Sequence, residues 1–580
     1  METEEEEITE EQRLRAEANR LAALAKRKKK AAAGSSSVDL PQQYPHGHWA
    51  LFKCRKLDPA AAATATARQA KPFDGAAGAW ARAPPDAAVA EKFRVRLEIC
   101  SPDSFSATPL PLVGFAYPGE GESMRRLVDC LAGVMPSHYT QNLAGGKACV
   151  YKLRDYDAVI RCLKSFKSVV YEEIPWGTFN VIEKLSHSFI MGQWIPCRPE
   201  HLPDEKVDEL FEKLPRKILD ILMPFQVDGV KFGLRRGGRC LIADEMGLGK
   251  TLQAIAIASC FRNEGSILIV CPAILRFSWA EELERWFPCL PTDIHLVFGH
   301  QNNPSHLQKW PKIVVISYKM LHHLRRSMLD REWSLLIVDE SHHIRSSKKS
   351  AEPEEIKAVL DVAAKARRII LLSGTPSLSR PYDIFHQINI LWPGLLGKDK
   401  FDFARTYCDV KFDQSYQGKV FKDYSKGIRL EELNILLKQT VMIRRLKEHV
   451  LVHLPPKRRQ ILRILLKKSD IISAKAAVRV VDGDSLDDIT LDNTDQSDDS
   501  NIRNKLRNLS YQEVGIAKIS GFREWLSLHP LIAASDEVVD SPNCHKMIVF
   551  AHHHRVLDGV QVYLRESISC KNQIWLISYC

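Results

Sequence analysis

The eight residues Asp244-Glu-Met-Gly-Leu-Gly-Lys-Thr251 lie between an apolar run, Cys240–Ala243, and a helix-forming stretch, Leu252–Cys260. Strand, Gly-rich turn and helix in that order form the setting of a phosphate-binding loop. Gly247 and Gly249 allow the backbone to curl so that its N–H groups point inward at phosphate oxygens. The Lys250 ammonium can reach β- and γ-phosphates, the Thr251 hydroxyl can ligate Mg²⁺, and the N-terminus of the following helix adds positive potential. The whole loop is therefore assigned to nucleotide binding: Asp244, Glu245, Met246, Gly247, Leu248, Gly249, Lys250 and Thr251. Asp244 stands where the generic pattern has its first Gly. A Gly-rich turn that merely precedes a helix is the plainer alternative.

The rest of the region favours the nucleotide site. Apolar runs recur at 240–243, 266–271, 313–317, 335–339 and 369–373, with helical patterns between them. Continuous Val/Ile/Leu runs of this kind are the mark of buried parallel strands. The expected fold is therefore α/β, a doubly wound domain over 215–400. Asp339-Glu-Ser-His342 ends the fourth run, which puts its carboxylates at the carboxyl edge of the sheet. There Asp339 can hold Mg²⁺ and Glu340 can orient and deprotonate an attacking water. Ser373-Gly-Thr-Pro376 ends the fifth run, so Ser373 and Thr375 are candidates for coupling the phosphate site to a bound strand. Catalysis is thus assigned to Lys250, Asp339 and Glu340, and metal binding to Thr251 and Asp339.

Charge points to an acidic partner. Lys plus Arg number 82 against 71 Asp plus Glu, a net +11, and residues 482–500 hold eight Asp and no Lys or Arg. The remainder is more basic than the net figure, as in nucleic-acid-binding proteins. No apolar run approaches the roughly 18 residues of a membrane span, and METEEEE lacks the apolar core of a signal peptide, so no membrane partner is expected. The 14 Cys contain no C-x-x-C, which argues against a zinc knuckle and for reduced thiols in a cytosolic or nuclear protein. His552–His554 cannot share one face of a strand or helix, so a metal site there is not expected.

Composition divides the chain further. Residues 8–32 read as one helix whose thin stripe of Leu14, Leu21 and Leu24 cannot build a core alone. Residues 36–92 are linker-like, with AAAATATA and APPDAA. Residues 93–185 read as a small α+β module, in which FRVRLEI alternates like a strand and SMRRLVDCLAGV and YDAVIRCLKSF look like amphipathic helices. Residues 401–470 read as a basic, mainly helical insertion and 482–503 as an acidic disordered linker. In 504–580 the residues suggest one strand, KMIVFA, and one helix, after which SISCKNQIWLISYC carries no further unit.

Together these motifs resemble the Swi/Snf-type superfamily 2 helicase-like ATPases over about 215–565, a resemblance that implies a RecA-like ATP-binding lobe over 215–400. Gln226 in LMPFQVDGV resembles the family's adenine-reading glutamine. VCPAIL with Trp279 resembles a motif that touches the DNA backbone, ISYKML, with Ser317, resembles the next DNA-facing motif, and VMIRRLKEHVLVHLPPKRR, with Arg444 and Arg445, looks like the family's basic segment. KMIVFAHHHRVLD resembles the first motif of the second RecA-like lobe. The wording of MPFQVDGVKFGL, DESHHIRSS and LLSGTPSLSRP is close to the annealing-helicase, fork-remodelling branch, and 93–185 is weakly similar to its HARP module, with a generic α+β adaptor as the alternative.

The resemblance implies a nuclear, ATP- and Mg²⁺-dependent hydrolase acting on forked or single/double-strand junction DNA in fork processing, repair and reannealing. Residues 1–35 would combine a helix, 8–28, that docks on replication protein A with a basic patch at 26–30. A charged coiled-coil start or solvated tail is the other reading of that helix. The resemblance also leads one to expect a second lobe with arginine fingers, of which only a beginning is legible, so the activity of this chain is in doubt. A nucleosome-remodelling ATPase and a non-catalytic DNA- and replication-protein-A-binding form are the competing functions.

Overall fold

The computed structural model describes residues 91–141, 146–346, 351–377, 380–414, 420–454, 459–482, 509–528, 547–567 and 574–578. The docking helix, basic patch and linker expected before residue 91 lie outside the described residues, as does the acidic linker beyond Asp482. The chain divides into two compact units, Met1–His453 and Leu454–Cys580. Among the described residues no helix is long and apolar enough to cross a membrane.

Among its described residues the first unit holds two larger sheets and a two-stranded hairpin. In the smaller, β1 (Phe93–Ser101), β2 (Ser104–Pro111), β3 (His138–Gln141), β4 (Lys147–Lys152) and β5 (Val169–Glu172) take the order β3-β4-β2-β1-β5. Only the β1–β5 pair is parallel. The alternation legible in FRVRLEI is realised: Phe93, Val95, Leu97 and Ile99 are buried. They pack in one core with residues of α1 (Glu120–Cys130), α2 (Tyr156–Ser165) and α3 (Trp176–Met191). On the other face Glu172 accepts from Arg94 and Arg96 at 2.5 and 2.6 Å.

The larger sheet has seven strands: β6 (Arg239–Ile242), β7 (Ile267–Cys271), β8 (Ile294–Val297), β9 (Ile313–Ser317), β10 (Leu335–Val338), β11 (Arg368–Leu372) and a two-residue strand, β12 (Met442–Ile443). Its order is β12-β6-β11-β10-β7-β9-β8, and every pairing is parallel. All five apolar runs found in the sequence are strands of this sheet. Two strands were not legible. β8 is only four residues long with a His inside it, and β12 is an edge strand of two residues within the basic segment.

α4 (Pro224–Arg235) precedes β6, and α5 (Lys250–Cys260) follows it. In α5 Ala254, Ile255, Ala256, Ile257 and Ala258 are all buried, as expected of a helix that is apolar all round. Helices α6 (Arg276–Trp286), α7 (Tyr318–His323) and α8 (Glu354–Lys365) fill the later crossovers.

The segment after residue 400 is less helical than expected. Helix α9 (Lys400–Tyr407) is followed by an antiparallel hairpin, Cys408–Gln414 with Val420–Gly427, then by α10 (Leu430–Thr440) and β12. β12 returns the chain to the main sheet beside β6, so the parallel sheet takes a strand from beyond residue 400. A buried polar knot joins α10 to the small sheet. Glu432 accepts from the Ile99 N–H at 3.1 Å and from the Tyr407 hydroxyl at 3.2 Å, and Arg429 donates to the Leu97 carbonyl at 2.7 Å.

The second unit contains α11 (Lys468–Asp482), α12 (Tyr511–Ala517), α13 (Ile519–Ser527), β13 (Met547–Ala551), α14 (His554–Ser567) and β14 (Ile574–Ser578). A reciprocal cap starts α12: Ser510 Oγ accepts from Glu513 N at 3.3 Å, and Glu513 accepts from Ser510 N at 2.7 Å. β14 pairs parallel with β13 from Met547↔Ile574 to Ala551↔Ser578. This corrects the expectation of a single strand. The apolar run IWLIS supplies the partner that β13 needs.

A candidate nucleotide site at the carboxyl edge of the large sheet

The phosphate loop leaves β6 beside β11 and enters α5. Gly247 and Gly249 have φ of 82° and 70°, the left-handed region that glycine reaches without a Cβ penalty. A Cβ at Gly249 would collide with the Gln226 amide. That amide donates to the Leu248 carbonyl at 3.1 Å and accepts from the Met223 N–H at 3.0 Å. Gln226, the expected adenine reader, thus braces the loop from α4.

The loop residues expected to bind nucleotide do not all present their side chains to it. Met246 is the clearest case. Its side chain is 64% exposed and leans on Gly374, with its Cγ 2.7 Å from where a Cβ there would stand. A thioether has no proton to donate to a phosphate oxygen, so Met246 can serve the site only through its backbone N–H. Leu248 is turned the other way: it is buried, and its carbonyl is taken by Gln226 and by Gln253 at 3.4 Å. Thr251, the second residue of α5, is half-buried.

The Lys250 ammonium folds back onto its own loop and donates to the carbonyls of Asp244 and Glu245 at 3.0 and 3.5 Å. Burial holds it below the usual lysine range, while the charges of Glu340, Asp244 and Asp339 pull the other way.

The unusual Asp244 has a structural reason. It is fully buried, and Arg445 grips it with Nε to Oδ1 at 2.9 Å and Nη2 to Oδ2 at 2.5 Å. Gln253 of α5 donates to the same carboxylate at 3.1 Å. Arg444 reaches the carbonyls of Ala243 and Gly374 at 2.7 and 3.0 Å, and the Lys447 N–H donates to the Glu245 carboxylate at 2.8 Å. Arg444 and Arg445 were expected to face DNA. The structure turns both inward, as a strap from β12 across the back of the phosphate loop. No local signal could reveal the Asp244–Arg445 pair, whose members lie 201 residues apart.

Asp339 and Glu340 follow β10, at the centre of the sheet. Asp339 Oδ1 accepts from the Glu340 N–H and Oδ2 from the Trp279 indole, each at 2.9 Å. Burial raises the Asp339 carboxyl above its ordinary value, and these two hydrogen bonds oppose the rise. Glu340 has φ 50° and ψ 48°. A non-glycine residue in that region costs roughly 1–2 kcal/mol and here aims the side chain away from the course of the strand. His342 Nδ1 lies 3.1 Å from Glu340 Oε2 and 3.2 Å from Ser373 Oγ. The bond to His342 holds the Glu340 carboxyl below the usual range, so it is ionised at neutral pH.

The residues assigned to DNA coupling are distributed differently from expectation. Ser373 Oγ joins His342 to the Thr375 N–H, at 3.2 Å each, so the third motif does meet the carboxylate motif. Ser317 is a buried helix cap whose Oγ accepts from Met320 N at 3.3 Å. Trp279 is buried and spent on Asp339. Sequence reasoning missed Tyr318, whose hydroxyl donates to the Asp339 carbonyl at 2.7 Å.

A Gly-rich loop at a helix N-terminus, a lysine and two carboxylates at one sheet edge are the groups that a nucleoside triphosphate and Mg²⁺ require. Among the described residues no group of three or more His, Cys, Asp or Glu side chains is arranged to hold a metal by itself.

Known proteins resemble this chain over the region that holds the loop and the carboxylates. A family model described as SNF2-related domain matches residues 225–509. The chain is 32% identical over 421 residues to the SWI/SNF-related matrix-associated actin-dependent regulator of chromatin subfamily A-like protein 1 of Xenopus tropicalis, covering 71% of this chain and 39% of that protein. It is 44% identical over 255 residues to the DNA annealing helicase and endonuclease ZRANB3 of Mus musculus, covering 43% of this chain and 23% of that protein. The chain thus spans less than half the length of these relatives. The Sulfolobus solfataricus SWI2/SNF2 ATPase core in complex with dsDNA aligns at 20% identity over 62% of this chain and 78% of that chain, with a TM-score of 0.33.

Proposed function

We propose, from the match of an SNF2-related family model to residues 225–509, that the chain is a DNA-dependent ATPase motor of the annealing-helicase type, acting on forked or junction DNA in the nucleus. The observation that carries the proposal is that the loop with Lys250 follows β6 while Asp339 and Glu340 follow β10, at the carboxyl edge of one parallel sheet and inside the region that the family model matches.

Each residue has a defined task. The phosphate loop, from Asp244 to Thr251, binds the triphosphate through its N–H groups, and Lys250 offsets charge on the β- and γ-phosphates. Thr251 and Asp339 would hold Mg²⁺, which neutralises phosphate charge when bound. Glu340, kept ionised by His342, takes the proton of the attacking water. Ser373 and His342 link that carboxylate to the segment after β11. DNA contacts would be phosphate-directed and salt-sensitive, in keeping with the net +11 of the chain. The likeness of 93–185 to a HARP module and of 8–28 to a replication-protein-A-docking helix belongs to the same proposal.

The test is ATP hydrolysis by the full chain with forked DNA, linear duplex and nucleosomes. Stimulation strongest with forked DNA and lost in Lys250→Ala is the expected result. Stimulation by nucleosomes alone would favour a chromatin remodeller. Binding to DNA and to replication protein A without turnover, unchanged in Lys250→Ala, would favour a non-catalytic role.

A further inference from the structure

The geometry points to Trp279 as a positioning residue that fixes the Asp339 carboxylate for Mg²⁺ through its indole N–H. This rests on the nucleotide-site reading above and assigns a task inside the protein to a residue expected at its surface.

Three observations carry it. First, both oxygens of Asp339 already have a donor: the Glu340 N–H on Oδ1 and the Trp279 indole on Oδ2, each at 2.9 Å. A carboxylate with one donor on each oxygen has a fixed plane. The lone pairs left on each oxygen then point in set directions. Second, Trp279 is fixed in turn. It is 2% exposed and belongs to the core that holds Leu283, Ile269 and Phe287. Its ring cannot follow a mobile carboxylate, so the carboxylate must conform to the ring. Third, the backbone of the same motif is held separately, by the Tyr318 hydroxyl on the Asp339 and Glu340 carbonyls at 2.7 and 3.3 Å. The indole bond therefore governs side-chain rotation and not the course of the chain.

A buried indole N–H needs an acceptor, and a buried carboxylate needs donors. Both needs are met in one bond between residues 60 apart in sequence. Outer partners of this kind orient a metal-side group, and their loss typically costs roughly 10- to 100-fold in metal affinity. The Trp279 indole donates to Asp339 and not to the phosphate loop, so the effect should be confined to the metal-dependent part of nucleotide binding.

The experiment compares wild type with Trp279→Phe, which keeps a large ring in the core and deletes the donor. A second protein carries the sulfur isostere of tryptophan, benzothienylalanine, at 279. It preserves the two-ring shape without the N–H and covers the case in which Phe fails to pack. Binding of a fluorescent ATP analogue is titrated with Mg²⁺ and again in excess chelator. The expected result is an Mg²⁺ half-saturation raised by about 10-fold or more in both variants, with chelator-measured nucleotide affinity within about 2-fold of wild type. A merely structural role would weaken both affinities together, and that outcome overturns the proposal. So does an unchanged Mg²⁺ titration in the folded isostere protein. Wild type that binds the analogue with no Mg²⁺ dependence would instead overturn the metal-site reading on which the proposal rests.

Discussion

The chain uses one local pattern twice, with different results. Around the phosphate loop, short apolar strands and crossover helices join a seven-stranded parallel sheet in which Ile269, Ile316, Ile337 and Ile370 are wholly buried. In the Leu454–Cys580 unit, β13, α14 and β14 repeat the strand–helix–strand order, but the sheet described has two strands, and Ile548 is 53% exposed. A strand flanked by partners and covered on both faces can position a catalytic carboxylate within fractions of an ångström. A parallel pair with one covered face cannot hold its residues as tightly. Rigidity comes from what surrounds the pattern, not from the pattern.

The largest effect should come from breaking the strap behind the phosphate loop of the first unit. Arg445→Met leaves Asp244 buried without its cation, a loss of about 3–5 kcal/mol of stability. Chemical denaturation of the variant, with Asp244→Asn/Arg445→Met as the paired control, checks this. Recovery of most of the loss in the double variant is expected.

Next, Ile337→Ala should cost about 2–5 kcal/mol, whereas Ile548→Ala should stay within about 0.5 kcal/mol. Hydrogen exchange supplies the local readout, with β10 amides far better protected than those of β13. Equal costs at the two sites would erase the comparison.

A smaller effect concerns the knot between the small sheet and α10. Burial pushes the Glu432 carboxyl up to about 7, from an ordinary value of 4.5, against the pull of Arg429. The folded state thus keeps a proton that the unfolded chain releases. The stabilisation is complete below about 4.5 and is lost as pH rises through about 7. The melting midpoint of the first unit should therefore rise from pH 8 to pH 6, and Glu432→Gln should flatten that rise.

Much of the first unit is legible in the order of its amino acids. The phosphate loop, the carboxylate pair and five strands follow from apolar runs and the residues that end them, because a fully buried parallel strand must be continuously apolar. The phosphate loop bears one clue to more: Asp244 in place of glycine announces a buried charge needing a partner. The partner itself is hidden, since Arg445 sits in a basic segment that looks like a solvated helix. Trp279, Arg444 and Arg445 are aimed outward by resemblance, and their hydrogen bonds turn them inward. Short-range pattern records which residues can leave water, but not which distant group they meet there. β14 escapes notice for a related reason: five residues, IWLIS, make a strand only because β13 lies beside them.

If the carboxyl edge of the large sheet is a hydrolytic site, its binding and proton-transfer tasks fall on different residues. Single-turnover ATP hydrolysis with forked DNA by Glu340→Gln, measured beside its nucleotide affinity, separates the two. The prediction is hydrolysis reduced by roughly 100- to 10,000-fold with affinity within a few-fold of wild type. Hydrolysis at the wild-type rate in that variant would contradict it.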